Sequence, residues 1–270
     1  MKNKTVTQAY SNEEFLLSPE ARPIRILAEY FEPDSRFHKF SIDDTIVVMG
    51  SARYVDEAQA RAELDQARKT GEGVRQAKLR LRMSRYYEEA RALSNRLTHW
   101  SKGLPEKHRR FVICTGGGPG IMEAANRGAS EAHGVNAGLS ISLPHEEHEN
   151  HYITRELAFR FHYFFMRKFW FLYLAKAVIF FPGGFGTLDE LFEILTLVQT
   201  RKVRKHLPLV LYGSEYWNKV LNFDALVEFG SIDAADVDLV KICDSVDEAF
   251  EYLTRELATR GLSGPTGATL

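Results

Sequence analysis

Two cysteines in 270 residues are too few for a disulfide framework. Each closes an apolar run, Cys114 after Phe111-Val112-Ile113 and Cys243 after Val240-Lys241-Ile242, which is the setting of a buried strand residue in a reducing compartment. An excess of one charge sign is also missing. With 35 Lys plus Arg against 36 Asp plus Glu, the bulk balance points to neither a nucleic acid nor a membrane surface as the main partner. The first residues lack the apolar core and small-residue cleavage site of a secretion signal. The most apolar stretch, residues 157–181, is interrupted by Arg160, Arg167, Lys168 and Lys176, too much charge to cross a bilayer. These absences predict a cytoplasmic protein with no membrane partner. Internal repeats and low-complexity linkers are absent too.

What is present is a chain with 44% hydrophobic residues, enough for one sizeable α/β core with an attached helical extension. Residues 1–40 read as an N-terminal extension with one amphipathic helix over 19–31. The β-branched run 45–49 is the first strand. A stretch rich in Ala, Arg, Glu and Leu follows, broken near Gly71 and Gly73, and predicts two amphipathic helices in an insert over 56–108. From residue 110 strands and helices alternate: strands at 111–114, 136–143, 177–181, 207–212 and 239–243, helices at 120–133, 162–174, 188–201, 216–229 and 246–260. That alternation predicts βαβ units on a parallel sheet, with a nucleotide-binding domain over 41–260 and a flexible tail over 261–270.

Two strands end in glycine clusters that open helices, Thr115-Gly116-Gly117-Gly118-Pro119-Gly120 and Pro182-Gly183-Gly184-Phe185-Gly186-Thr187. Glycine lets backbone amides approach a ligand closely, and a helix N-terminus favours an anion. The same glycines would also serve plain tight turns. Ile121 and Asp189 stand where a third glycine of G-x-G-x-x-G would be, and no G-x-x-x-x-G-K-[ST] occurs, so dinucleotide and Walker readings lose support. Two clusters at the carboxyl ends of parallel strands favour a nucleotide site.

The segment Pro182-Gly183-Gly184-Phe185-Gly186-Thr187-Leu188-Asp189-Glu190 matches P-G-G-x-G-T-x-x-E, and Arg167-Lys168 supplies the basic pair of an M-x-x-R-K element that it otherwise departs from. Together they resemble the Lonely Guy (LOG) family, long mislabelled as lysine decarboxylases. The cluster running from Gly116 through Glu123 to Asn126 is similar to that of the family's longer branch. The resemblance covers roughly residues 45–260. It implies a Rossmann-like, doubly wound parallel sheet with helices on both faces, and a phosphoribohydrolase cleaving nucleoside 5′-monophosphates (AMP or cytokinin ribotides) to free base and ribose 5-phosphate. It also implies a homodimer or higher homo-oligomer. No cofactor is expected, since nothing in the sequence argues for a pyridoxal phosphate lysine.

Breaking a glycosidic C–N bond builds positive charge on the ribose and needs a carboxylate there and a donor near the leaving base. Glu190 and Arg167 are the candidates. Glu190 competes with a bland role, since Thr187-x-x-Glu190 is also a capping box. Arg167 and Lys168 compete with snorkelling from an aromatic helix. The candidate phosphate and nucleotide ligands are Ser51, Arg53, Gly116, Gly117, Gly118, Glu123, Lys168, Gly183, Gly184, Gly186 and Thr187. For Glu123 the alternative is a first-turn partner to the helix dipole, and for Arg53 ordinary surface exposure. The run His145-Glu146-Glu147-His148-Glu149-Asn150-His151 lacks metalloprotease spacing and reads as a polar loop closing over substrate, with no metal. The aromatic stripe from Phe159 to Tyr173 reads as core or subunit interface. The rival function is a carrier of the same fold that binds a nucleotide or phosphorylated cofactor without cleaving it. RNA contact through the insert is opposed by its acidic residues Glu57, Glu63, Asp65, Glu72, Glu88 and Glu89.

Overall fold

The computed structural model describes residues 6–142 and 150–261. The short helix α1 (Glu13–Leu17) and the long helix α2 (Arg22–Lys39) precede the first strand, β1 (Thr45–Met49). Helices α3 (Glu57–Thr70) and α4 (Val74–Lys102) follow, then β2 (Val112–Thr115), α5 (Ile121–Glu131), β3 (Asn136–Ile141) and β4 (Ala158–Phe161). The second half runs α6 (Phe164–Tyr173), β5 (Ala175–Phe180), α7 (Phe185–Gln199), β6 (Leu209–Tyr212), α8 (Ser214–Val220), α9 (Phe223–Glu228), β7 (Val240–Cys243) and α10 (Val246–Glu256).

The seven strands form one parallel sheet in the order β4-β3-β2-β1-β5-β6-β7. The chain winds outward from β1 to β4, then returns to lay β5 against the free edge of β1 and winds the other way. Successive side chains of a strand alternate between faces, and both faces are covered. On one face Val47, Met49, Val178 and Phe180 pack with Phe37, Trp170 and Leu191 from α2, α6 and α7. On the other Ile46, Val48, Ile113 and Ile179 pack with Leu93, Ala125 and Leu253 from α4, α5 and α10. This is the doubly wound, Rossmann-like α/β fold. Both cysteines are buried and free.

The differences from expectation have local causes. Strand β4 went unread because it is a four-residue edge strand with alternating burial, Arg160 exposed between Phe159 and Phe161. Helix α2 runs on to Lys39 through Pro33, held by Phe37, whose ring lies 5.0 Å from that of Phe159 and 5.7 Å from that of Trp170. The helix expected over 216–229 is two helices, because Asn222 caps a new start by accepting the Ala225 N–H. The His145–Glu149 part of the polar loop lies outside the described residues. Among the described residues no helix is long and apolar enough to cross a membrane.

Candidate functional site

A parallel sheet opens a crevice where the winding direction reverses, at the carboxyl ends of the strands. Here that point lies between β1 and β5, and a cavity of about 1120 Å³ occupies it. Three loops meet there and are stitched by backbone hydrogen bonds. Ser51 N–H donates to the Pro182 carbonyl, and the Ser51 carbonyl accepts from Ile121 N–H at the start of α5. Glycine is required at two of the close approaches. A Cβ on Gly120, whose φ is +72°, would lie 2.3 Å from the Ser51 carbonyl oxygen, and one on Gly183 would lie 2.1 Å from Thr187 Oγ1.

The third loop begins α7. Gly184 is its N-cap and no side chain caps it, so the first-turn amides of a 15-residue helix are left to face the cavity, which Gly184, Phe185, Gly186 and Thr187 line. An anion suits that helix end. Tyr216 Oη donates to the Gly183 carbonyl and steadies the loop from the α8 side.

Starting α7 at Phe185 rather than near residue 188 overturns the capping-box alternative. Thr187 sits inside the first turn, and Glu190 lies a turn further on with its side chain turned to α6. There Arg167 Nη2 donates to Glu190 Oε1 at 3.2 Å, and both side chains are 13% exposed. Burial pushes the Glu190 carboxyl up to about 7, with the Arg167 guanidinium opposing part of that rise. The guanidinium lies 5.1 Å from the Phe164 ring centroid and 5.4 Å from that of Phe171. Its buried Nε has no hydrogen-bond partner among the described residues. A charged pair in an apolar wall, with a donor to spare, is suited to a reacting centre.

Of the predicted residues, Ser51, Arg53, Gly116, Arg167, Gly183, Gly184, Gly186, Thr187 and Glu190 line this one cavity. Gly117, Gly118, Glu123 and Lys168 do not. Gly117 is a turn residue at φ +72°, lying against Ser140 of β3. Glu123 accepts the Tyr87 hydroxyl of α4 at 2.8 Å. Lys168, about 100° further round the helix than Arg167, pairs with Asp189 at 2.7 Å and Glu193 at 3.0 Å and faces a smaller cavity of about 450 Å³ behind Glu190.

Sequence reasoning missed the wall opposite α7. Tyr54 after β1, and Gln76, Leu79, Arg80 and Met83 from α4, complete the cavity. The i, i+3, i+4, i+7 spacing of the last four was the available signal.

A family model described as a possible lysine decarboxylase matches residues 122–253. A protein of Oryza sativa subsp. japonica, described as a probable cytokinin riboside 5′-monophosphate phosphoribohydrolase, is 37% identical over 84 residues, 31% of this chain. The match spans 36% of that relative's own length. Among solved structures, the molybdenum cofactor carrier protein of Chlamydomonas reinhardtii aligns over 80% of this chain and 99% of its own, at 19% identity and a TM-score of 0.49. The molybdenum cofactor binding protein of Rippkaea orientalis aligns over 80% and 96%, at 16% identity and a TM-score of 0.46. The family model and the rice relative agree with the resemblance to the Lonely Guy family carried by the P-G-G-x-G-T-x-x-E segment at the head of α7.

Proposed function

We propose that the cavity binds a nucleoside 5′-monophosphate, AMP or a cytokinin ribotide, and hydrolyses its N-glycosidic bond to free base and ribose 5-phosphate. The observation that carries this reading is the part-buried Arg167–Glu190 pair one helical turn past an uncapped helix end that suits a phosphate. The phosphate takes the first-turn amides of α7, with Arg53 beside it on the β1 loop. Glu190 lies about 5 Å along the helix axis from Thr187, which sets its carboxyl beside the sugar.

As the C1′–N bond breaks, its electron pair leaves with the base and positive charge grows on the ribose. The Glu190 carboxylate opposes that charge and orients a water, whose oxygen bonds to C1′ while its proton passes to Glu190. A carboxyl titrating near neutrality is well matched to that transfer. Arg167 stands by the leaving base. Because guanidinium does not readily give up a proton, the proton the base gains is relayed by water along the Arg167 donors. The reaction needs no cofactor, and the two buried free cysteines suit a cytoplasmic setting. Exposed Phe164 and Phe165 on α6, with Phe185 and Phe192 on α7, offer a face for a second copy of the chain.

The test is incubation with a panel of nucleoside monophosphates, with chromatography of free base and ribose 5-phosphate. Release of both from AMP or a cytokinin ribotide, and none from adenosine, is expected. Equal turnover of adenosine and AMP would remove the phosphate cradle. Binding of nucleotides with no cleavage of any would make the protein a carrier.

A further inference from the structure

The α3–α4 insert is a hairpin of two helices turned at Gly71 and Gly73, both at positive φ. Its halves hold each other through Leu64, Ala67 and Ala77, a buried cluster separate from both faces of the sheet. A 2.8 Å ion pair from Arg80 of α4 to Glu63 of α3 adds to them. Further along α4, Arg82 and Arg85 reach Glu215 at the start of α8. These contacts fix the rotation of the helix. With Ala77 turned to α3 and Arg82 and Arg85 to α8, the stripe Gln76, Leu79, Arg80 and Met83 is left facing the cavity. Leu79 is 47% exposed there, an apolar side chain whose covering the fold does not supply.

We propose that this stripe is the specificity wall for the base of the nucleotide. The inference rests on the function proposed above and assigns the part of the substrate that function leaves without a partner. The α7 amides and the β1 loop take the phosphate, and Glu190 with Arg167 takes the glycosidic bond. The cavity surface that remains includes Leu79, Met83 and Tyr54, two aliphatic side chains and a ring, with the Gln76 amide beside them. Apolar side chains suit the faces of a heteroaromatic base. An amide, donor and acceptor at once, suits its hydrogen-bonding edge. A wall of this composition discriminates by the base and is indifferent to the sugar phosphate.

The discriminating ligand is therefore the product that lacks a base. Calorimetry measures the dissociation constants of AMP and ribose 5-phosphate for the full chain carrying Glu190→Gln, which keeps AMP intact, and for the same chain with Leu79→Ala and Met83→Ala added. The expected result is an AMP affinity about tenfold weaker, the equivalent of losing apolar contact from two side chains, with ribose 5-phosphate unchanged within about twofold. Gln76→Ala, at an exposed position that the fold does not need, gives the same selective loss and covers the case in which the double variant fails to fold. Equal weakening of both ligands, or an unchanged AMP affinity, overturns the wall while leaving the hydrolase reading in place. Failure of the Glu190→Gln chain to bind either ligand removes both.

Discussion

The Glu29 carboxylate accepts the backbone N–H of His162 at 2.7 Å across 133 residues of sequence. Its other oxygen accepts the N–H of Tyr163 at 3.2 Å, and its carbonyl accepts from Trp170 Nε1 at 2.9 Å. Tyr163 is the N-cap of α6 and has no capping hydrogen bond from its own side chain. The N-terminal helix therefore supplies the cap for the helix that carries Arg167.

Removing that cap should have two effects. Glu29→Ala should cost about 1 kcal/mol of stability, the usual value of a lost N-cap, measured by chemical denaturation. It should also lower kcat several-fold at little change in KM, because α6 sets where the guanidinium stands. A loss of stability with kcat intact would reduce Glu29 to a purely structural cap.

Glu190→Gln preserves size and removes the charge opposite the ribosyl cation. Turnover should fall by about 10²- to 10⁴-fold while AMP binding, read by calorimetry, persists. Arg167→Ala should lose a comparable factor, with some packing lost against Phe164 and Phe171. Hydrolysis by Glu190→Gln at near the parent rate would refute the mechanism.

The Glu190 titration also has a sign. Its carboxyl is raised from about 4.3 in an unfolded chain to about 7 in the fold, so the folded state holds the proton more tightly. The stability this contributes is complete below about pH 4 and is lost as pH rises through about 7. Glu190→Gln, neutral throughout, should melt higher than the parent at pH 8 and about level with it at pH 4. The difference should be on the order of 1–3 kcal/mol, the free-energy equivalent of a shift of this size reduced for the partial exposure of the carboxyl. A gap that stays constant across that range would show that the carboxyl is not raised.

Light scattering should find a species of twice the 30.8 kDa chain mass or more, and Phe165→Glu on α6 should shift it toward the monomer. A monomer at all working concentrations would contradict the expected interface.

The sequence showed most of the sheet because a strand buried on both sides writes itself as an apolar run, as 45–49 and 177–181 do. It showed the glycine loops because Gly117 and Gly120 take positive φ and Gly183 has no room for a Cβ. It did not show β4, whose alternation is four residues long, nor the true start of α7. Thr187 and Glu190 made a local capping pattern, and seeing that Glu190 instead meets Arg167 needed the start of α7 and the position of another helix. The roles of Glu29 and of the Gln76–Met83 stripe were equally invisible. Each depends on which element lies opposite, and the partner of Glu29 is 133 residues away. That Glu123 and Lys168 lie outside the cavity was hidden for a related reason: spacing places a side chain on a helix but does not say what packs against that side.

The separate packing of the α3–α4 hairpin bears on how such a protein changes over generations. Leu64, Ala67 and Ala77 hold the two helices together without drawing on either face of the sheet, and Gln76, Leu79 and Arg80 project from an exposed side. Substitutions along that stripe can accumulate at little cost to folding, while Gly183 in the α7 loop, held against Thr187, has no room for a side chain. On the specificity wall proposed above, a lineage exchanges one preferred base for another by drift in the hairpin, with the Arg167–Glu190 pair left as it is.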